Sequence, residues 1–96
     1  MVVGACRISL RLPENQSLKG KRQVIRSVMD RVRRQFGVAI AEVEAQDRWQ
    51  IAVLGIACVS NSGHHARKIL DNVVDYIEGT RLDAEVGDVE IELLSV

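Results

Sequence analysis

The fold class predicted by the sequence is an α+β sandwich of the split βαβ (ferredoxin-like) type, built as a single domain over residues 1–96. Two observations carry it. Segments whose apolar residues recur at every second position are interleaved with two whose apolar residues recur every 3.6, in the order β-α-β-β-α-β. Right-handed crossovers then lay out an antiparallel sheet in the order 4-1-3-2 with both helices on one face. That topology makes the first and last strands neighbours. Their outward residues are Arg7 and Arg11 on one and Glu90 and Glu92 on the other, cross-strand charges worth about 0.2–1 kcal/mol per pair.

Residues 2–12 alternate: Val2, Gly4, Cys6, Ile8, Leu10 and Leu12 share one side, and Arg7, Ser9 and Arg11 the other, as in a half-buried strand. Pro13 and the polar residues after it break the strand, and Ser17 is the expected N-cap of a helix. Over 18–36 the period lengthens. Leu18, Ile25, Val28, Met29, Val32 and Phe36 fall in one narrow arc of that helix, and Gly37 supplies its stop. The run 38–45 is rich in alanine and β-branched residues, with Glu42 and Glu44 on one side of a strand. Residues 46–48 read as the turn into a long strand over 49–59. Ser62 is the next N-cap, Ala66, Ile69, Leu70, Val73, Val74 and Ile77 form the stripe of a helix over 64–78, and Gly79 closes it. A polar loop leads to a last alternating run over 88–96, with Val89, Ile91 and Leu93 inward.

The third strand sorts poorly. Ile51, Val53 and Val59 lie on one face, while Ala52, Leu54, Ile56 and Cys58 lie on the other. A strand apolar on both sides, in a sheet with helices on only one, predicts that another subunit covers part of the open face. The expected assembly is therefore a homodimer.

Composition bounds the function classes. With 47% apolar and 27% charged residues the chain lies in the ordinary folded regime. No apolar run approaches the ~18 residues of a transmembrane helix. Residues 1–6 lack a basic signal-peptide start and meet Arg7 at once, so they read as strand, and the expected compartment is the cytoplasm. Cys6 and Cys58 each sit in an apolar strand, where a reduced pair packed as small hydrophobes is expected; a bridge is the alternative if their strands are neighbours. A net charge of zero conceals a polarity. Residues 1–48 hold ten basic groups against five acids, and residues 49–96 hold three against eight. Such asymmetry fits an anionic partner, or two ends of one fold that attract each other.

The first helix holds the candidate binding residues. At 100° per residue Lys19, Arg22, Arg26 and Arg33 run along one flank, Lys21 adds a cation at the helix start, and Arg31 and Arg34 lie elsewhere on the exposed surface. A ridge of this kind suits the tracking of phosphates, and its alternative is a solvated helix face. The acidic stripe Asp71, Asp75 and Glu78 on the second helix is not its expected partner, because right-handed crossovers turn both stripes to the outer flanks. Cations at a helix start cost a few tenths of a kcal/mol unless an anion joins them there. Trp49, the one tryptophan, is the candidate interface residue. Edge packing or a dimer contact is expected of it ahead of base stacking, since the first strand presents no outward aromatic. No catalytic residue, cofactor or metal site is expected. Neither a nucleophile–base–orienter set nor a Gly-rich fingerprint is visible, and the rings of adjacent His64 and His65 diverge by about 100°.

The segment Ser17-Leu18-Lys19-Gly20-Lys21-Arg22, followed by Phe36, Glu42, Asp47-Arg48-Trp49-Gln50 and Leu54-Gly55-Ile56, resembles the bacterial YlxP-like family, a domain of unknown function, along essentially the whole chain. That family usually carries an acidic residue where this chain has Gly20. The resemblance implies a ferredoxin-like fold and a gene neighbourhood of translation initiation and ribosome maturation, and it offers no catalytic residues to carry over. The expectation is a non-enzymatic cytoplasmic domain that contacts RNA or a ribosome-associated partner. Lys19, Lys21, Arg22, Arg26 and Arg33 would make the phosphate contacts. The alternatives are a small-molecule-binding regulatory module with its ligand held between subunits, or a protein–protein adaptor whose open sheet face is anchored by Trp49.

Overall fold

A computed structural model describes residues 1–80 and 84–96; the centre of the expected polar loop, 81–83, lies outside the described residues. Six elements run in the expected order: β1 (Val2–Arg11), α1 (Leu18–Phe36), β2 (Ala39–Glu44), β3 (Ile51–Ser60), α2 (Gly63–Gly79) and β4 (Glu85–Ser95). The strands form one antiparallel sheet ordered β2-β3-β1-β4, which is the 4-1-3-2 arrangement of a ferredoxin-like α+β fold. The helices pack on one face, with α1 against β2 and α2 across β1, β3 and β4.

Local chemistry sets the element ends. The Ser17 hydroxyl accepts a hydrogen bond from the Gly20 N–H at 3.0 Å, and Ser62 accepts one from His65 at 3.3 Å, each satisfying a donor that the first turn leaves free. Gly37 closes α1 in the left-handed conformation, φ 60°, with its N–H donating to the Arg33 carbonyl. The end of α2 differs from expectation. Gly79 remains helical and Thr80 is the cap, its hydroxyl donating to the Tyr76 carbonyl at 2.6 Å.

Between sheet and helices lies the core. Cys6, Ile8, Leu10 and Leu12 from the first strand and its extension meet Ala52, Leu54, Ile56 and Cys58 of β3, under Ile25, Val28 and Val32 of α1 and Ala66, Leu70, Val73 and Ile77 of α2. Gly4 of β1 lies close under Leu70 and Ala66 of α2. A Cβ there would stand 2.9 Å from Leu70 Cδ1 and 3.0 Å from Cys58 Sγ.

Two departures from regular pairing shape the surface. Glu42 is in register with Leu54, but Glu44 is in register with Val53, so Val43 is an extra residue in a β-bulge. The bulge separates two carboxylates expected on one side. Glu42 turns under α1, whereas Glu44 stays on the open face, 3.1 Å from Arg7 Nε. On the opposite edge Glu92 is across from Ala5 in the regular register, and a shift between Ile8 and Leu10 places Arg11 across from Glu85. Of the two expected β1–β4 charge pairs, only Arg7–Glu90 forms, at 3.6 Å. Val53, expected to need cover from a second subunit, is already buried within the chain; Val59 on the same face is 67% exposed.

Candidate nucleic-acid interface

The outer flank of α1 is built by the stripe that points the other way. Lys21, Ile25, Val28 and Val32, spaced i, i+4, i+7 and i+11, are the buried residues of the helix, and the cations stand on its remaining surface. Lys19, Arg22, Arg26, Arg31 and Arg34 are exposed, and among the described residues none of them is in an ion pair. The helix holds seven basic residues against a single acid, Asp30. Lys19, Arg22, Arg26 and Arg33 fall within about 60° of arc and span about 21 Å along the axis. The Arg33 guanidinium donates to the Ile40 carbonyl of edge strand β2 at 2.8 Å and pairs with Asp30 at 3.2 Å. That bond fixes the flank as the one beside β2. Arg33 is therefore partly engaged in holding α1 to the sheet edge, while Lys19, Arg22 and Arg26 are free of such ties.

Lys21 requires a correction. Expected on the basic surface, it is fully buried, because its place on the helix is within the apolar stripe. Its ammonium donates to the carbonyls of Ala45 at 2.7 Å, Gln46 at 3.2 Å and Ile51 at 3.2 Å, and stands 2.9 Å from Glu42 Oε2. Three N–H donors aimed at three carbonyls leave none aligned on Oε2, so the Glu42 contact is an ion pair without a directed hydrogen bond. The arrangement ties α1 to the β2–β3 turn and stabilises Ala45, a non-glycine residue at φ 60°. With its donors occupied and no exposed surface, Lys21 does not present a charge to an external phosphate.

Trp49 precedes β3 and does not begin it; the strand starts at Ile51. The indole is 55% exposed at the end of the sheet, in a cleft of about 540 Å³ shared with Arg11, Pro13, Gln16 and Arg48. The open sheet face forms a separate trough of about 740 Å³ in which Trp49 takes no part. Its floor is small residues in register, Ala39–Ala57–Ala5 in one row and Ala41–Gly55 in the next. Arg7 stands at the end of the second row between Glu44 and Glu90. The adaptor reading, which put Trp49 on that face, joins two features that the fold keeps apart.

The cysteines are both free and buried, Cys58 facing Gly4 across the β1–β3 ladder and Cys6 facing Ile56. Burial, reinforced by the Asp71 carboxylate and partly opposed by Arg67, pushes the Cys6 thiol above its ordinary range. Among the described residues no group of three His, Cys, Asp or Glu side chains is placed to hold a metal ion. No described helix is long and apolar enough to cross a membrane.

Sequence reasoning misses three parts of this surface: the Lys21–Glu42 pair, the small-residue trough, and the grouping of Arg11 and Arg48 with Trp49. The first leaves a trace, since Lys21 shares the spacing of Ile25, Val28 and Val32. Comparison with known proteins agrees with the fold. The family described as "Protein of unknown function (DUF503)" matches residues 3–91. The chain is 42% identical over 62 residues to the uncharacterized protein YlxP of Bacillus subtilis (strain 168), covering 65% of this chain and 67% of that one. A de novo designed protein, Foldit4, matches with a TM-score of 0.53 and 14% identity over 99% of this chain and 97% of its own, a likeness of fold alone.

Proposed function

The chain belongs to the DUF503 family of proteins of unknown function, and on that premise we propose that it is a cytoplasmic, non-enzymatic domain that contacts RNA, including RNA in ribosome-associated assemblies, through the outer flank of α1. The observation that carries this reading is the row of exposed cations on that flank, Lys19, Arg22 and Arg26, without ion-pair partners among the described residues. Cations at this spacing lose little on meeting a phosphate backbone, and counterion release favours the complex. Phosphate contacts position a partner without reading its sequence, so a shape-selective mode is expected. The test compares binding of structured ribosomal RNA by the wild type and by Lys19→Glu/Arg22→Glu/Arg26→Glu. Arg33 is left intact because its bond to Ile40 also serves the fold. The reading expects the variant to fold normally, bind far more weakly and show a shallower salt dependence. Equal affinity and equal slope would sink it.

A second reading is carried by the trough on the open sheet face. Alanine and glycine residues in register over three strands leave a recess in which a second copy of the chain, or a small ligand held between two copies, can approach the backbone closely. Sedimentation velocity tests it. Self-association in the wild type, abolished by Ala57→Arg, supports a homodimer through this face; a monomer at every concentration rejects it.

A further inference from the structure

We propose that the cleft beside Trp49 receives one unpaired base of a single-stranded RNA segment, stacked on the indole, with the flanking phosphates on Arg11 and Arg48. This inference rests on the reading of α1 as a phosphate track and extends it to the kind of nucleic acid bound.

The ring is exposed, but its backbone is held. The side-chain amide of Asn15 donates to the Trp49 carbonyl, the Leu12 N–H donates to the Gln50 carbonyl at 2.9 Å, and the Gln50 side chain donates to the carbonyls of Pro13 at 3.1 Å and Asn15 at 3.2 Å. Two loops are thereby laced together at the backbone of Trp49, so the segment that carries the ring is held before any partner arrives and little backbone ordering remains to be done on binding. An aromatic ring left in water on a fixed frame is the arrangement that base stacking uses, and such stacking tolerates any base because each has a π face.

Charge points to the same partner. Arg11 and Arg48 line the cleft with Trp49, and among the described residues neither is in an ion pair. The cleft also adjoins the track. Lys21 binds the carbonyls of Ala45 and Gln46, which ties the start of α1, whose exposed side carries Lys19 and Arg22, to the loop that leads to Trp49. Phosphates running along α1 would thus arrive at an aromatic surface flanked by two guanidiniums. A duplex keeps its bases stacked inside and offers none to the ring, so the occupant is single-stranded. The cleft volume, about 540 Å³, is within the range of sites that take one small unit.

Trp49 is the one tryptophan, so its fluorescence reports the cleft alone. The intact chain is titrated with a single-stranded oligouridylate, an RNA hairpin and inorganic polyphosphate, and affinities are read by anisotropy or competition. Quenching by oligouridylate but not by polyphosphate is expected. Trp49→Ala should lose about 5- to 150-fold in oligouridylate affinity, the worth of one base–aromatic stack, and leave polyphosphate affinity unchanged; Trp49→Phe should retain most of the binding. Oligouridylate affinity unaltered in Trp49→Ala, or equal quenching by polyphosphate, overturns the stack while leaving the α1 reading standing. Loss of self-association in Trp49→Ala with RNA affinity intact also overturns it, by assigning the indole to a protein contact. Conversely, if the triple charge reversal on α1 leaves polyphosphate affinity unchanged while Trp49→Ala still weakens oligouridylate, the stack survives and the track falls.

Discussion

Replacing Lys21 by methionine keeps most of the side chain's length and deletes its charge, and the consequences can be worked from the contacts. The substitution leaves the Glu42 carboxylate, 17% exposed, without its counter-ion, and removes the donor shared by the carbonyls of Ala45, Gln46 and Ile51. Removing one partner of a buried pair costs about 3–5 kcal/mol, because the survivor stays desolvated and unpaired. Against a total stability of about 5–15 kcal/mol that is a large share. Glu42→Gln is the milder change. The ammonium keeps its three carbonyl acceptors and loses only an undirected ionic contact, so a cost of about 1–2 kcal/mol is expected. Lys21→Met/Glu42→Leu removes both charges and should be more stable than Lys21→Met alone, since a buried pair exchanged as a unit for apolar groups is often close to neutral. Urea unfolding monitored by far-ultraviolet circular dichroism measures all three. With a slope of about 1–3 kcal/mol per molar, the single Lys21 variant should shift its midpoint by about 1 M or more. A shift of a few tenths of a molar would refute the view that this ammonium binds the helix to the turn, and a double variant no better than Lys21→Met would refute the cost assigned to the unpaired Glu42 carboxylate.

Other contacts give sharper local tests. Gly4→Ala should cost about 1–3 kcal/mol in the same assay, because its Cβ would press on Leu70 and Cys58 in a packed core; a neutral result would mean that α2 shifts freely. Ala45→Gly should raise stability by about 1 kcal/mol, since glycine occupies φ 60° without the clash an L side chain meets there; a loss would contradict that geometry. Neither cysteine should react with a disulfide reagent until the chain unfolds, as both are buried; stoichiometric labelling of the native protein at neutral pH would reject this. The Cys6 thiol, held above its ordinary range by burial, stays protonated in the folded chain at pH values where the unfolded chain has lost that proton. Its contribution is therefore intact at neutral pH and declines as pH rises beyond about 8.5. Cys6→Ala should show a smaller alkaline loss than the wild type, and an equal loss would place the titrating group elsewhere.

The fold is legible in the sequence because the elements speak for themselves. Period-two and period-3.6 runs, serine N-caps and a glycine stop give all six elements, and the handedness of crossovers gives their order. The features that stay hidden depend on register. Glu42 and Glu44 are two residues apart in a strand, and alternation alone puts them together. Only the extra residue at Val43 sends one beneath α1 and the other to Arg7, and a bulge of this kind has no signature in this run of residues. Lys21 is the instructive case for the site. Its position in the buried stripe is legible from spacing, yet a lysine at such a position reads as surface until its acceptors are known. Those acceptors are turn carbonyls, which carry no residue-type signal. Trp49 and Arg11 lie on segments far apart in the chain, so their cleft is a product of the β1–β3 pairing that sets Arg11 across from Ile51.

Titrating uniformly ¹⁵N-labelled protein with RNA and monitoring every backbone amide shows whether the outer flank of α1 meets the RNA backbone. Shifts should concentrate at Lys19, Arg22 and Arg26 and in the Arg48–Trp49 segment and fade as salt is raised, with the α2 stripe of Asp71, Asp75 and Glu78 unmoved. Shifts centred on the open-face residues Ala5, Ala41 and Ala57, with α1 silent, would contradict it.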